Sequence, residues 1–236
     1  MSGEGGAAEG GLLVCPTPIG NLEDVTLRVL RVLGEADVLA CEDTRRTRVL
    51  LERHNVRAKE LVSLHEHNER DRSRTLVERI RGGARVALVS DAGMPVVSDP
   101  GFVLVRECLA ASLRVEVLPG ASAVDVALVV SGLPVARWCF VGFLPRKRGQ
   151  RERMLAEASE TLVAFESPRR VPTTLAMLAE LDPGRPVAVC RELTKLHEEV
   201  RRGNAAELAA HYESHRAQGE VVLVVGAAED RPTNVA

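Results

Sequence analysis

From residue 12 onward, short apolar runs alternate with segments in which apolar residues recur every three or four positions. Leu12-Leu13-Val14-Cys15 predicts a strand, and Leu22, Val25, Leu27, Val29, Leu30 and Leu33 mark one face of a following helix. Asp37 to Cys41 reads as a second strand with a helix over Thr44 to His54, and Leu61 to Leu64 as a third with a helix over Asn68 to Arg81. Val86 to Val89 leads through a Gly/Pro loop into a helical pattern at Val103 to Leu109, and Val115 to Leu118 closes the series. Such alternation predicts a largely parallel sheet covered on both faces.

A helix opening at Pro119-Gly120-Ala121-Ser122-Ala123 and ending near Ser131-Gly132-Leu133-Pro134 leads into a second half. Strands are expected there at Trp138 to Phe143, Thr161 to Phe165, Val187 to Cys190 and Glu220 to Val225. Helices near Gln150 to Glu160, Val171 to Leu181 and Ala205 to His211 separate some of them. The reading is an α/β chain with an N-terminal domain at residues 12–119 and a C-terminal domain at 120–228. Residues 1–11 and 229–236 are expected to be disordered tails.

An apolar fraction of 45% against 27% charged residues fits a globular protein with ample core. No apolar stretch approaches the roughly 20 residues of a membrane span, and no basic-then-apolar leader opens the chain, so no membrane partner is expected. Cys15, Cys41, Cys108, Cys139 and Cys190 are scattered without a CxxC pair. Three of them lie in strand-like runs, which points to buried reduced thiols and a cytoplasmic location. A net charge of −2 excludes a uniformly basic nucleic-acid binder, so contact with a polyanion must come from local clusters.

The candidate chemistry gathers where strands end. Ser90-Asp91-Ala92-Gly93-Met94-Pro95, with Asp99-Pro100-Gly101 behind it, follows one apolar run and precedes a helix. Open α/β sheets bind ligands at that edge, where small residues permit close approach and Asp91 adds a fixed acceptor. The same residues also suit an ordinary connection. Glu42-Asp43-Thr44-Arg45-Arg46 places acids and guanidinium groups at another strand end, either facing a substrate or capping a helix through Asp43 or Thr44. His65-Glu66-His67-Asn68-Glu69 resembles a metal cluster but lacks convergent further ligands, which favours polar loop residues at the ligand edge. His211 and His215 share a solvated helix face.

Arg146, Lys147, Arg148 and Arg151 create a local positive field that is either a solvated run or a phosphate contact. Aromatic residues, at 3%, are too few for base stacking to be the main binding device. Glu166-Ser167-Pro168-Arg169-Arg170 and Arg191-Glu192-Leu193-Thr194-Lys195 again set acids beside cations after strands. Their recurrence across both halves suggests one cleft. The Gly-rich segment up to Gly11 precedes the first strand rather than following it, so it is no dinucleotide fingerprint, and neither GxxxxGK[ST] nor GxSxG occurs.

These motifs also form an ordered set. Pro16-Thr17-Pro18-Ile19-Gly20-Asn21-Leu22, Glu42-Asp43-Thr44-Arg45, His65 to Glu69 and Ser90 to Pro95 come first. Asp99-Pro100-Gly101, Leu118-Pro119-Gly120, Ser131 to Pro134, Gly142-Phe143-Leu144-Pro145, Glu166-Ser167, Arg191 to Lys195 and Gly219-Glu220 follow. Over residues 12–226 the chain resembles the tetrapyrrole-methylase-like superfamily of class III methyltransferases, in its branch acting on small-subunit ribosomal RNA.

The resemblance implies two α/β domains with S-adenosylmethionine in the cleft between them, usually in a homodimer. It implies methylation of a cytidine ribose 2′-hydroxyl in the decoding region of 16S rRNA in the small ribosomal subunit, with no metal required. It assigns the methionine end of the cofactor to Asp91, Ala92, Gly93 and Met94, and the rest of that site to Ser122, Ala123, Leu193 and Glu166 or its neighbouring backbone. Met94 stands where Thr is more usual. An acid near Glu42 has a proposed catalytic role in the tetrapyrrole branch, and position makes Glu42, Asp43 and Glu166 candidate proton acceptors. Arg146, Lys147, Arg148 and Arg151 would rim an RNA groove, with Arg45, Arg169 and Lys195 as further phosphate contacts. The alternatives are a methyltransferase on a tetrapyrrole intermediate and a non-catalytic cofactor-binding ribosome-assembly protein.

Overall fold

The structure, a computed structural model, describes residues 10–228 in two units that divide between Ser122 and Ala123. The predicted tails at residues 1–9 and 229–236 lie outside the described residues. Gly11, expected in the first tail, instead pairs with Arg85 as the first residue of a strand.

The N-terminal unit holds strands β1 (Gly11–Val14), β2 (Val38–Cys41), β3 (Leu61–Ser63), β4 (Arg85–Val89) and β5 (Val115–Val117). Between them run helices α1 (Leu27–Glu35), α2 (Thr44–Arg53), α3 (Glu69–Arg81) and α4 (Phe102–Ala110). The sheet order is β3-β2-β4-β1-β5 and every pairing is parallel. Alternation along each strand divides the core into two layers. Leu13, Leu39 and Ala87 pack with Val29, Leu33 and Leu50 of α1 and α2, whereas Leu12, Ala40 and Leu88 pack with Leu76, Ile80 and Leu104 of α3 and α4. Both faces are covered, which is why the central strands β1, β2 and β4 read as nearly continuous apolar runs.

α1 starts later than its apolar stripe. Thr26 is extended and its hydroxyl accepts from Val29 N at 3.1 Å, so the helix begins there. Leu22 and Val25 precede the helix, yet pack against the α1–α2 layer and continue its apolar face.

The C-terminal unit contains α5 (Ala123–Ser131), β6 (Trp138–Phe143), α6 (Arg148–Glu157), β7 (Thr161–Glu166) and α7 (Val171–Leu181). It continues with β8 (Pro186–Arg191), β9 (Glu199–Asn204), α8 (Ala205–Ser214) and β10 (Val221–Val225). Its order is β6-β7-β10-β8-β9, with β6 and β7 parallel and the other pairings antiparallel. Leu155, Leu175, Leu178, Leu208 and Leu223 centre its core.

β9 is absent from the sequence reading because Glu-Val-Arg-Arg-Gly-Asn carries a single large apolar residue. It is an edge strand, where charged side chains protect an open ladder. Its register sets Glu199 opposite Arg191, and the two form an ion pair at 2.8 Å. Among the described residues no helix is long and apolar enough to cross a membrane.

Leu223 is fully buried in β10 at the centre of the second sheet. Leu223→Ala should lower the unfolding free energy by about 2–5 kcal/mol, read from urea melts. A loss below about 1 kcal/mol would contradict this core assignment.

Candidate active site

β1 and β4 lie side by side, but the chain leaves β1 toward the α1 face and β4 toward the α4 face. Such a switch point opens a crevice at the carboxyl edge of the sheet. Here the two loops are joined by backbone. Thr17 N donates to Gly93 O and Gly93 N to Thr17 O, both at 2.9 Å. The Thr17 hydroxyl donates to Ser90 O at 3.0 Å, and the Ser90 hydroxyl to Gly93 O at 3.1 Å.

Gly93 has φ +81°, and a Cβ there would stand 3.3 Å from the Ile19 methyl. The loop after β5 lies directly on the first: a Cβ at Gly120 would fall 2.4 Å from Pro16 Cγ. Three strand ends therefore meet around Ala92, Gly93, Gly120, Ala121 and Ser122. The Met94 side chain packs against the α3–α4 core layer.

The rest of the β4–α4 loop is held under strain. Val96 and Ser98 adopt φ +75° and +64°, which costs of order 1–3 kcal/mol each. The Glu69 carboxylate closes the far end, accepting from Gly101 N at 2.8 Å and Val103 N at 2.9 Å. Of the His65–Glu69 motif, Asn68 and Glu69 thus serve the backbone: Asn68 Oδ1 accepts from His65 N and its amide donates to Ser63 O. His65 remains at the sheet edge with Nδ1 buried and unpartnered among the described residues. No group of three His, Cys, Asp or Glu among the described residues is arranged to hold a metal ion.

Three acids at this edge have different surroundings. Asp91 Oδ1 accepts from Asp43 N at 2.9 Å, and Oδ2 lies 3.5 Å from Arg46 Nε, so the end of β4 anchors the start of α2. Asp43 is the N-cap of α2, accepting from Arg45 N at 2.8 Å and from the Arg45 guanidinium at 2.7 Å. Those bonds from Arg45 hold its carboxyl at about 2, too weak a base for proton abstraction. The capping alternative describes Asp43, and Arg45 is its exposed partner.

Glu42 differs. Burial and then the adjacent Asp91 charge raise its pKa, against weaker opposing pulls from Arg46 and His65. Thr17, Arg46 and His65 emerge beside the sequence candidates; the flanking prolines of Pro16-Thr17-Pro18 were the visible sign of the first.

In the C-terminal unit the candidates separate. Glu166 is buried, accepting from Ser167 N at 2.7 Å and from the Thr174 hydroxyl at 2.8 Å, and it pairs with Arg170 at 2.5 Å. This corrects its assignment as proton acceptor: the carboxylate joins the end of β7 to α7 and meets no solvent. Arg151 is also corrected. It lies on the buried face of α6, donating to Pro145 O at 3.2 Å, and cannot rim an RNA groove.

Arg146, Lys147, Arg148 and Arg169 are exposed, with Arg148 paired to Glu180 at 2.8 Å. Leu193 is buried between Glu192 and Thr194, which have φ +51° and +64°. Lys195 already meets Glu192 at 2.8 Å and Glu220 at 2.9 Å, so its charge is matched within the loop. Gly219 makes that arrangement possible, since a Cβ there would lie 2.3 Å from the Glu192 carboxylate.

The profile of the tetrapyrrole (corrin/porphyrin) methylases matches residues 11–209. The chain belongs to this family. It is 43% identical over 222 residues to a ribosomal RNA small subunit methyltransferase I of Thermotoga maritima, covering 93% of this chain and 100% of that one. A Mycobacterium tuberculosis protein of the same name is 47% identical over 226 residues, covering 94% and 79%. Among solved structures, uroporphyrin-III C-methyltransferase from Thermus thermophilus in complex with S-adenosylhomocysteine superposes with a TM-score of 0.64. That match has 21% identity over 92% of this chain and 97% of that one, and carries the fold alone.

Membership of the methylase family makes the chain a methyltransferase with S-adenosylmethionine as donor. The N-terminal edge fits that ligand: Ala92, Gly93, Gly120, Ala121 and Ser122 leave main-chain amides and carbonyls as close polar groups, with little side-chain bulk.

Glu166→Ala should cost about 3 kcal/mol in urea unfolding, because Arg170 loses its carboxylate, while methyl transfer per folded molecule stays near wild type. Loss of transfer at full stability would return Glu166 to the reacting centre.

Proposed function

We propose that this chain methylates the ribose 2′-oxygen of a cytidine in 16S rRNA of the small ribosomal subunit, using S-adenosylmethionine. The observation that carries the acceptor class is the whole-length similarity to proteins named as small-subunit ribosomal RNA methyltransferases. Glu42 supplies the chemistry that such an acceptor needs. A ribose hydroxyl is a weak nucleophile, and a carboxylate with a raised pKa is a better proton acceptor than an ordinary one.

The bound cofactor supplies an electrophilic methyl group on sulfur. The Asp91–Met94 loop and Ser122 would hold it. Glu42 would take the proton of the ribose hydroxyl as that oxygen is methylated. Holding the reacting atoms in line contributes roughly 7–11 kcal/mol in well-oriented cases. Arg146, Lys147 and Arg148 engage phosphates of the strand, with Arg169 beside a further strand end. We read the active species as a homodimer in the cytoplasm, where buried reduced thiols are stable.

The deciding experiment incubates labelled cofactor with purified small subunits, then maps the product by nuclease digestion and mass spectrometry. Label on a cytidine 2′-oxygen of 16S rRNA is expected. Label on a porphyrinoid instead, or binding without transfer, overturns the reading.

Glu42 must be ionised to act, so single-turnover rates should rise with pH through its elevated pKa. Asp91→Asn removes the second cause of that elevation and should move the acid limb to lower pH, whereas Glu42→Gln should abolish the limb and most of the rate. An acid limb unmoved in Asp91→Asn would separate the two carboxylates. Neutralising Arg146, Lys147 and Arg148 together should reduce the salt slope of RNA affinity by about 2 while leaving cofactor affinity unchanged. Isothermal titration and filter binding across salt concentrations measure both.

A further inference from the structure

The first turn of α2, next to Glu42, carries two arginines whose guanidinium groups are used differently. Arg45 spends its fork on Asp43: Nε donates to the two carboxylate oxygens at 3.0 and 3.2 Å, and a terminal nitrogen donates to Oδ2 at 2.7 Å. Arg46 is held on one side only. Its Nε lies 3.5 Å from Asp91 Oδ2, its side chain is 61% exposed, and among the described residues its two terminal nitrogens meet no acceptor.

Arg46 lies one turn before Leu50, which is buried in the layer that covers the sheet. At Arg46 the strands have ended, so a side chain leaving this flank of α2 passes over their carboxyl edge, where Asp91 meets it. Asp91 also accepts from Asp43 N at 2.9 Å, which fixes the start of the helix at that point. Burial and Asp91 raise the Glu42 pKa, and Arg46 exerts the largest opposing pull. The open fork therefore stands within electrostatic reach of the proton acceptor.

An RNA acceptor brings its own charge to this edge. The 2′-oxygen and the 3′-phosphate leave adjacent carbons of one ribose, so a 2′-oxygen at Glu42 carries a phosphodiester anion close to the carboxylate. Two anions so placed repel each other and oppose ionisation of the acid. A guanidinium with two open donors offsets that repulsion, grips the phosphate bidentately and fixes how the sugar is turned.

We infer that Arg46 binds the phosphate 3′ to the target nucleotide and thereby aligns its 2′-oxygen with Glu42. The acceptor is then an internal ribose of a polynucleotide, whereas a nucleoside or a 3′-terminal ribose lacks the handle. The inference rests on the rRNA reading and names the part of that substrate which sets the geometry at Glu42.

Small subunits reconstituted with 16S rRNA joined from two pieces, carrying one phosphorothioate 3′ to the methylated cytidine, test this with the full chain. Sulfur accepts hydrogen bonds more weakly than oxygen, so sulfur at a gripped position should slow single-turnover transfer severalfold. Arg46→Ala should lower the rate on unmodified subunits about a hundredfold and respond equally to oxygen and sulfur. Its cofactor affinity, by isothermal titration, should match wild type. Rates are compared above the acid limb, because losing Arg46 also removes a pull that lowers the Glu42 pKa.

Arg46→Gln keeps a donor for Asp91 without the charge, and gives the same comparison if Arg46→Ala fails to fold. No sulfur effect in the wild-type chain, the full effect retained in the variant, or a rate loss explained by weaker cofactor binding overturns the assignment. Wild-type transfer to unmodified subunits is scored in parallel. If it occurs while the sulfur test fails, Arg46 alone is rejected; if it is absent, the rRNA reading falls and this inference with it.

Discussion

Two backbone hydrogen bonds between Thr17 and Gly93 fix the ligand edge of the N-terminal unit. Without them, the loops after β1 and β4 would follow their helices to opposite faces of the sheet. The bridge needs φ +81° at position 93, which a glycine adopts without a Cβ penalty. Everything at that edge is referenced to it. Ser90 and Gly93 are set by Thr17, Asp91 lies between them, and Asp91 in turn fixes the amide of Asp43 and hence the start of α2.

The adjacent acids Glu42 and Asp43 show how a single step along the chain separates two electrostatic environments. Asp43 points to a helix N-terminus and an arginine, both of which favour its charge. Glu42 stands half-buried beside a second carboxylate, where its charge is disfavoured. The result is a fixed anion that shapes the backbone next to a titratable group able to exchange a proton. In the C-terminal unit Glu166 represents a third outcome, a carboxylate fully enclosed by Ser167, Thr174 and Arg170.

The parallel sheet was legible because strands buried on both faces must be apolar throughout, and few other segments of this chain are. The same logic hid β9, whose edge position permits Glu199, Arg201 and Arg202. The start of α1 was displaced because Leu22 and Val25 keep the apolar spacing of a helix while Asn21 and Thr26 direct the backbone into a turn and a cap. Among site residues, sequence located the Asp91 loop and Glu42 correctly at strand ends. It could not distinguish Arg151 from Arg146 and Arg148, since burial on one face of α6 depends on helix phase rather than on residue type. Glu166 was misread for a similar reason: Thr174 and Arg170 approach it only once α7 has folded back.

The segment from Ser90 to Gly101 is pinned at one end by Thr17 and at the other by Glu69. Its two left-handed residues other than glycine, Val96 and Ser98, lie between those pins. The strained backbone thus lies between two fixed ends, with Met94 and Val96 packed on the α3–α4 layer. Glu69 opens α3, so the far end of the segment is tied to the head of a helix on the opposite side of the sheet from α1 and α2. One threonine and one glutamate, far apart in sequence, thereby set the path of the whole connection.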